Sequence, residues 1–377
     1  MVSTLSEELR SPTVNKDHSV TLNLKSENAK KVEVSSDLKF KESVGQAGPG
    51  GLGSFSPMKK ISNDVWTATS MPMLPGRYSY VLLVDGLYVL DPLNPFIRQV
   101  PTTQGVNVRI NVVNVQADEP MPWDVFSDIP HGKVVIEKFY SEVLKQVKGL
   151  TIYLPPGYKS TVRYSVLYLL HGASGDYLTW YFDERADNIM DYLIAKGRAK
   201  EMIVVMPDGN VMSTGAMRIG VRPTATASPE ERKIIAEKHV SYFVKEVMPF
   251  VESRYRVSKD SRAIAGLSMG GGQTLNLVTS HPEMFVAAGP FSAALSEDAL
   301  NRLPSVREHL KGYKLVYVSC GNWDSLLERS RILSKKLDEL GIQHIYYSDD
   351  FDHVMPFWQR SLTDFVSHLS KTYDKSQ

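Results

Sequence analysis

A single cysteine, Cys320, leaves this chain unable to close an intrachain disulfide. That is the habit of proteins kept reduced, and it does not exclude an exported one. An excess of one charge is missing too: 43 basic residues face 42 acidic ones, a net charge of +1. No large field would draw nucleic acid or an anionic membrane, so neither is an expected partner. No apolar run reaches the length of a membrane-spanning helix. The opening MVSTLSEELRSP lacks the basic-then-apolar order of an export signal. The expectation is a secreted or periplasmic protein whose leader has been removed, or else a cytoplasmic one. Nothing has metal-ligand spacing, so no metal and no cofactor are expected. What remains is an ordinary globular composition, 42% hydrophobic and 23% charged over 377 residues. That is enough chain for two domains.

Residues 17–115 read as all-β, after a polar start expected to fray. Ser19–Leu24 and Lys31–Val34 alternate polar and apolar, and Val65–Ala68, Arg77–Val84, Leu87–Leu90 and Val106–Val113 give further strands. Asp85-Gly86 is a hairpin turn, and the glycine-rich stretch from Gly45 to Gly53 is a loop. Short strands at this spacing predict a small sandwich. Residues 116–131, with prolines and acidic residues, read as a linker that Trp123 could pin to one domain.

From residue 132 to 377 the pattern changes. Val166–Leu170 and Met202–Met206 are continuous apolar runs, as parallel strands covered on both faces require. Helical periodicity fills Asp187–Ala195, Tyr242–Tyr255, Ser325–Leu340 and Pro356–Thr372, and strands fit Val286–Phe291, Lys314–Ser319 and Gln343–Ser348. Alternating strands and helices predict an α/β doubly wound sheet. Residues 210–230 have neither period and read as a loop or insertion.

The chemistry centres on RAIAGLSMGGGQTLNLVTS, residues 262–280. A short apolar strand runs into Gly266-Leu267-Ser268-Met269-Gly270 and then a helix. This is the setting of a nucleophile elbow, where a strained turn lifts the serine hydroxyl above the sheet. A serine needs a base, and in this order of elements the acid and then the histidine follow at the ends of later strands. His353 lies in a loop between a strand and the last helix. His309 and His368 fall in helices and His344 in a strand. Asp324 follows the preceding strand and is the expected acid. Asp349, Asp350 and Asp352 sit too close to His353 along the chain and are read as shaping its loop. The oxyanion donors expected are the N–H groups of Met269, after the serine, and Ala173, in the loop after Leu170. His171 then holds that loop, and Cys320 is read as a buried structural thiol. Trp180, Tyr181, Trp323 and Trp358 are candidates to bind substrate.

Two resemblances extend this reading. Leu-Pro-Gly-x-Tyr-x-Tyr, Val-Asp-Gly and Asp-Pro-x-Asn-Pro, between residues 74 and 95, resemble the glycogen-binding type of carbohydrate-binding module, an immunoglobulin-like sandwich. The implied role is sugar stacking on exposed aromatics. The residue-level alternative is that Trp66, Tyr78, Tyr80 and Tyr88 are core. Tyr-Leu-Leu-His-Gly, Ile-Val-Val-Met-Pro-Asp-Gly, Gly-Leu-Ser-Met-Gly-Gly and Cys-Gly-x-x-Asp, over residues 118–370, resemble the esterase D type of α/β-hydrolase. Within it they are similar to the feruloyl and acetyl xylan esterases of carbohydrate esterase family one. The histidine motif departs from that family: Phe351-Asp352-His353 stands where Gly-His is usual. The resemblance implies a serine carboxylic ester hydrolase acting on feruloyl esters of plant xylan or its oligosaccharides. The alternatives are an acetyl xylan esterase, a siderophore-ester hydrolase, and a non-catalytic sugar-binding protein. The siderophore reading needs cations for its ligand, and only Arg218 and Arg222 in the long loop offer them.

Overall fold

The computed structural model describes residues 9–42, 54–101, 107–173, 175–211 and 228–374. The chain divides into two units, Met1–Pro120 and Met121–Gln377.

The first unit holds two antiparallel sheets. One carries Thr13–Val14, Val20–Lys25, Val65–Thr69 and Lys59–Lys60; the other centres on Val32–Ser36, Gly76–Val84 and Asn107–Val115. Alternation puts every second side chain inward, and Val20, Leu22, Leu24, Val34, Tyr80 and Val113 from both sheets share one buried cluster. Within the polar stretch expected to fray, residues 11–14 are held in place. Thr13 and Val14 pair with Thr21 and Val20, and Ser11 Oγ donates to Asp91 Oδ2 at 2.5 Å. Asp91 also accepts from Tyr80 OH at 2.7 Å, and Asn94 Nδ2 donates to Val112 O at 2.9 Å. Asp91 and Asn94 of the Asp-Pro-x-Asn-Pro motif are buried and fix the chain after the hairpin, while Pro92, Leu93 and Pro95 face outward. Trp66, Tyr78 and Tyr80 are core, while Tyr88 is exposed. The glycine-rich loop lies outside the described residues.

The second unit is built on an eight-stranded sheet. Its strands, in chain order, are β1 (Lys133–Ser141), β2 (Gln146–Leu154), β3 (Tyr164–Leu170), β4 (Met202–Pro207), β5 (Val257–Leu267), β6 (Ala287–Phe291), β7 (Leu315–Ser319) and β8 (Ile345–Tyr347). Their spatial order is β1-β2-β4-β3-β5-β6-β7-β8. The first two pairings, β1 with β2 and β2 with β4, are antiparallel, and all the rest are parallel. Along β3, Val166, Tyr168 and Leu170 enter one buried cluster, while Leu167 and Leu169 enter the other. Both faces are covered by helices, which is why these strands read as unbroken apolar runs.

Three expectations need correction. The stretch Met121–His131, read as linker, belongs to the second unit. Trp123 is buried there and its carbonyl accepts from Asn188 Nδ2 at 3.0 Å. Asp191 binds His131 Nδ1 and Gly132 N, each at 2.8 Å. A helix, Pro229–Tyr242, precedes the expected one and runs through a π-helical turn, Phe243–Val247, into Met248–Arg254. Ser228 and Glu231 form a capping box at its start, with Pro229 behind the cap. His344 lies just before β8 rather than within it, and its Nε2 is 2.7 Å from Ser334 Oγ. Residues 212–227 of the long loop, with Arg218 and Arg222, lie outside the described residues.

Candidate active site

Ligands of open α/β sheets bind beyond the carboxyl ends of the strands, and the candidate residues gather there. Ser268 joins the end of β5 to the helix Met269–Ser280 with φ 54° and ψ −113°. Such a backbone costs about 1–3 kcal/mol and persists only where neighbours over-determine it. Here its N–H donates to Phe291 O at 2.9 Å, and its carbonyl accepts from Gly272 N at 3.1 Å and Ala294 N at 2.9 Å. Glycine is obligatory at 270, because a Cβ there would lie 2.5 Å from Leu170 O and 2.6 Å from His171 O. That close approach brings the end of β3 against the elbow.

The acid and the histidine come from adjacent loops sewn together past the ends of β7 and β8. Asn322 N donates to Asp349 O at 2.8 Å and Trp323 N to Phe351 O at 3.0 Å. A Cβ at Gly321 would stand 2.2 Å from Phe351 O, so only glycine lets the loops meet. The result is a chain of contacts: Ser268 Oγ lies 3.0 Å from His353 Nε2, and His353 Nδ1 lies 2.8 Å from Asp324 Oδ2. A carboxylate only accepts, so Nδ1 carries the proton and Nε2 is free to take one from the serine. Asp324 Oδ1 also accepts from Leu326 N at 2.8 Å, so the residue shapes the following helix entry as well. Burial alone would raise the Asp324 carboxyl. The histidine beside it and the Leu326 N–H outweigh that and hold it below the usual carboxylate range. Asp352 Oδ1 instead accepts the backbone N–H of His353 at 2.8 Å.

The oxyanion candidates flank the serine. Met269 opens the helix, so its N–H has no carbonyl one turn back to bond. The loop at Gly172-Ala173 runs against the elbow, since a Cβ on Gly172 would be 3.5 Å from Ser268 Cβ. Ala173 is exposed. His171 is buried beneath, with Nδ1 2.7 Å from Gly172 O and Nε2 accepting from Gly209 N at 2.9 Å.

The aromatic candidates divide. Trp180 is wholly buried, with Nε1 donating to Leu170 O at 2.9 Å, so it supports the sheet and cannot meet a substrate. Trp358 is nearly buried and stands edge-on to His353, ring centres 4.9 Å apart, so it steadies the histidine rather than offering an open platform. Tyr181 is partly buried and lies against Phe182, which is exposed. Trp323 is 53% exposed. Cys320 is buried, and burial pushes its thiol up to about 12, the opposite of an activated nucleophile.

Sequence reasoning missed the polar groups under the loop at Gly172-Ala173: Lys148, Asn210 and Gln273. Gln273 carries no sign in the chain beyond its place one turn past the elbow. Lys148 sits inside a strand, where a lysine reads as solvated, yet it is 3% exposed and 2.6 Å from Asp208.

An eight-stranded sheet with a strained serine at the end of β5 defines the class, an α/β-hydrolase esterase. A family model, Esterase, matches residues 141–368, and the chain belongs to that family of carboxylic ester hydrolases. It is similar to an endo-1,4-β-xylanase/feruloyl esterase of Xylanibacter ruminicola, 30% identical over 96% of this chain. The chain spans about half of that relative, 46% of its length. A solved ferulic acid esterase is 26% identical, covers 65% of this chain and 100% of its own, and superposes with a TM-score of 0.56. The enterobactin esterase of Shigella flexneri covers 95% of this chain and 94% of its own at 17% identity, TM-score 0.64, and shares the fold. No helix among the described residues is long and apolar enough to cross a membrane.

Proposed function

We propose that this protein hydrolyses feruloyl esters of plant xylan or arabinoxylan through an acyl-enzyme on Ser268. The observation that carries the chemistry is the contact chain from Ser268 Oγ through His353 to Asp324, at 3.0 and 2.8 Å. Ser268 Oγ attacks the ester carbonyl as His353 Nε2 takes its proton. The carbonyl oxygen gains the charge and turns to the N–H groups of Ala173 and Met269. Asp324 holds the Nδ1–H tautomer and steadies the imidazolium. Collapse breaks the bond to the sugar oxygen, which leaves with the proton from Nε2. Water then repeats the sequence on the feruloyl-serine and releases ferulate.

Relatives bearing feruloyl esterase names support the acyl group. The exposed Trp323 indole next to Asp324 is the side chain best suited to cover a phenolic ring. A polysaccharide substrate would place the enzyme where plant cell wall is met, outside the cell. The test compares methyl ferulate, 4-nitrophenyl acetate and feruloylated arabinoxylan. Ferulate release from the first and third supports the reading. Turnover of the acetate alone would assign an acetyl esterase, and no turnover of any would return the chain to the sugar-binding alternative.

A further inference from the structure

Behind the loop expected to supply an oxyanion donor lies an ion pair between a buried lysine and a part-buried aspartate that the ester chemistry itself does not use. Lys148 Nζ is 2.6 Å from Asp208 Oδ2 and donates to Asn210 O at 2.6 Å. Asp208 Oδ1 accepts from both Asn210 N and Asn210 Nδ2 at 3.0 Å. Three charged or polar groups thus fold residues 208–210 into one fixed turn. The turn makes two contacts with the loop. Gly209 N donates to His171 Nε2 at 2.9 Å, and Asn210 Nδ2 donates to Gly175 O at 2.9 Å. Gln273, from the elbow helix, closes the arrangement by donating to Gly209 O at 2.9 Å.

A backbone N–H can only donate, so His171 Nε2 is the acceptor and its proton sits on Nδ1. Nδ1 then donates to Gly172 O at 2.7 Å, and Gly175 N donates to the same oxygen at 3.1 Å. The peptide Gly172–Ala173 is planar and trans, so its N–H points opposite to its carbonyl. Two donors gripping the carbonyl on the protein side turn the Ala173 N–H away from them. We propose that Lys148 and Asp208 are positioning residues for ester hydrolysis: by fixing the turn at Gly209 they hold the His171 tautomer and, through Gly172, aim the Ala173 N–H at the oxyanion. The inference rests on the reading of Ser268 as nucleophile.

Burial alone would raise the Asp208 carboxyl. The Lys148 ammonium beside it pulls the other way, and the group stays below the usual carboxylate range. Asp208 Oδ1 lies 3.7 Å from His171 Nε2, too far to hydrogen-bond, so the carboxylate acts through the turn.

Three measurements test this. Nitrogen-15 spectra of the full chain should show His171 neutral, with Nδ1 protonated and Nε2 bare. A proton on Nε2 would overturn the proposal. Asp208→Asn and Lys148→Met should each lower kcat on methyl ferulate about 10–100-fold with KM within about twofold, less than the loss of a whole oxyanion donor. Melting temperature and circular dichroism establish that each variant is folded. A folded Asp208→Asn or Lys148→Met with wild-type kcat would show a role in stability alone and overturn the positioning role. If neither variant folds, the His171 tautomer in the wild type decides. Ser268→Ala separates the two readings. If it keeps activity, the nucleophile is wrong; if it is dead while Asp208→Asn is fully active, only the positioning proposal falls.

Discussion

At the residue scale the question is what each polar atom does for the serine. Ser268→Ala removes the hydroxyl from a turn that backbone contacts hold without it. It should cost at least about 10³-fold in kcat while leaving the melting temperature within a few degrees of wild type. Asp324→Asn keeps the size of the side chain but presents an amide where Nδ1–H needs an acceptor. A loss of about 10³–10⁴-fold in kcat is expected, against little change for Asp352→Asn, whose carboxylate faces a backbone N–H. Steady-state rates on methyl ferulate for the pair check the assignment, and a dead Asp352→Asn beside an active Asp324→Asn would reverse it. Some of this was legible from the chain: glycines around a serine between strand and helix have few other uses. The aromatics were not. The chain marks Trp180 as large and close to the loop after Leu170, but only packing shows its indole turned into the sheet with Nε1 on Leu170 O.

At the scale of elements, apolar runs carried most of the information. Strands covered on both faces hold few polar residues, so β3, β4 and the end of β5 stand out, and with them the order of loops along the top of the sheet. The helix Pro229–Tyr242 was illegible for the opposite reason. Only His239 and Tyr242 of its fourteen residues are buried, so no apolar stripe betrays it, and the capping box at Ser228 was its one sign. His239 is the odd member. Among the described residues neither ring nitrogen has a hydrogen-bond partner. Burial first, with the nearby Lys148 charge adding to it, pushes it down to about 3. The unfolded chain would take up this proton below the ordinary histidine value near 6.5, and the folded chain resists until about pH 3. Stability is therefore complete above the unfolded value and drains as pH falls, by up to about 1.4 kcal/mol per pH unit. His239→Leu should flatten the fall in melting temperature between about pH 6 and 4, and an unchanged acid limb would contradict that origin. The loop junction at Gly321 makes a second prediction at this scale. Gly321→Ala sets a Cβ against Phe351 O, so both melting temperature and kcat should drop as the acid and histidine loops part.

On the scale of the whole molecule, the second unit carries every residue of the proposed reaction and its own two-faced core. The first unit has a separate core, and three of the four aromatics considered for sugar stacking, Trp66, Tyr78 and Tyr80, are inside it. The isolated first unit is accordingly expected not to be retained on insoluble xylan, and retention at micromolar affinity would restore the stacking reading. The Asp-Pro-x-Asn-Pro motif illustrates the limit of pattern: its residues resemble a sugar module, and what they do here is tie Ser11, Tyr80 and Asn111 into one buried knot.

The central claim is that Ser268 becomes acylated. Wild-type enzyme turning over 4-nitrophenyl ferulate can be quenched in acid, digested and mapped by mass spectrometry. The expected result is a feruloyl group on the peptide that contains Ser268, fragmented to that serine. A feruloyl adduct on any other side chain, or turnover that never acylates this one, would contradict it.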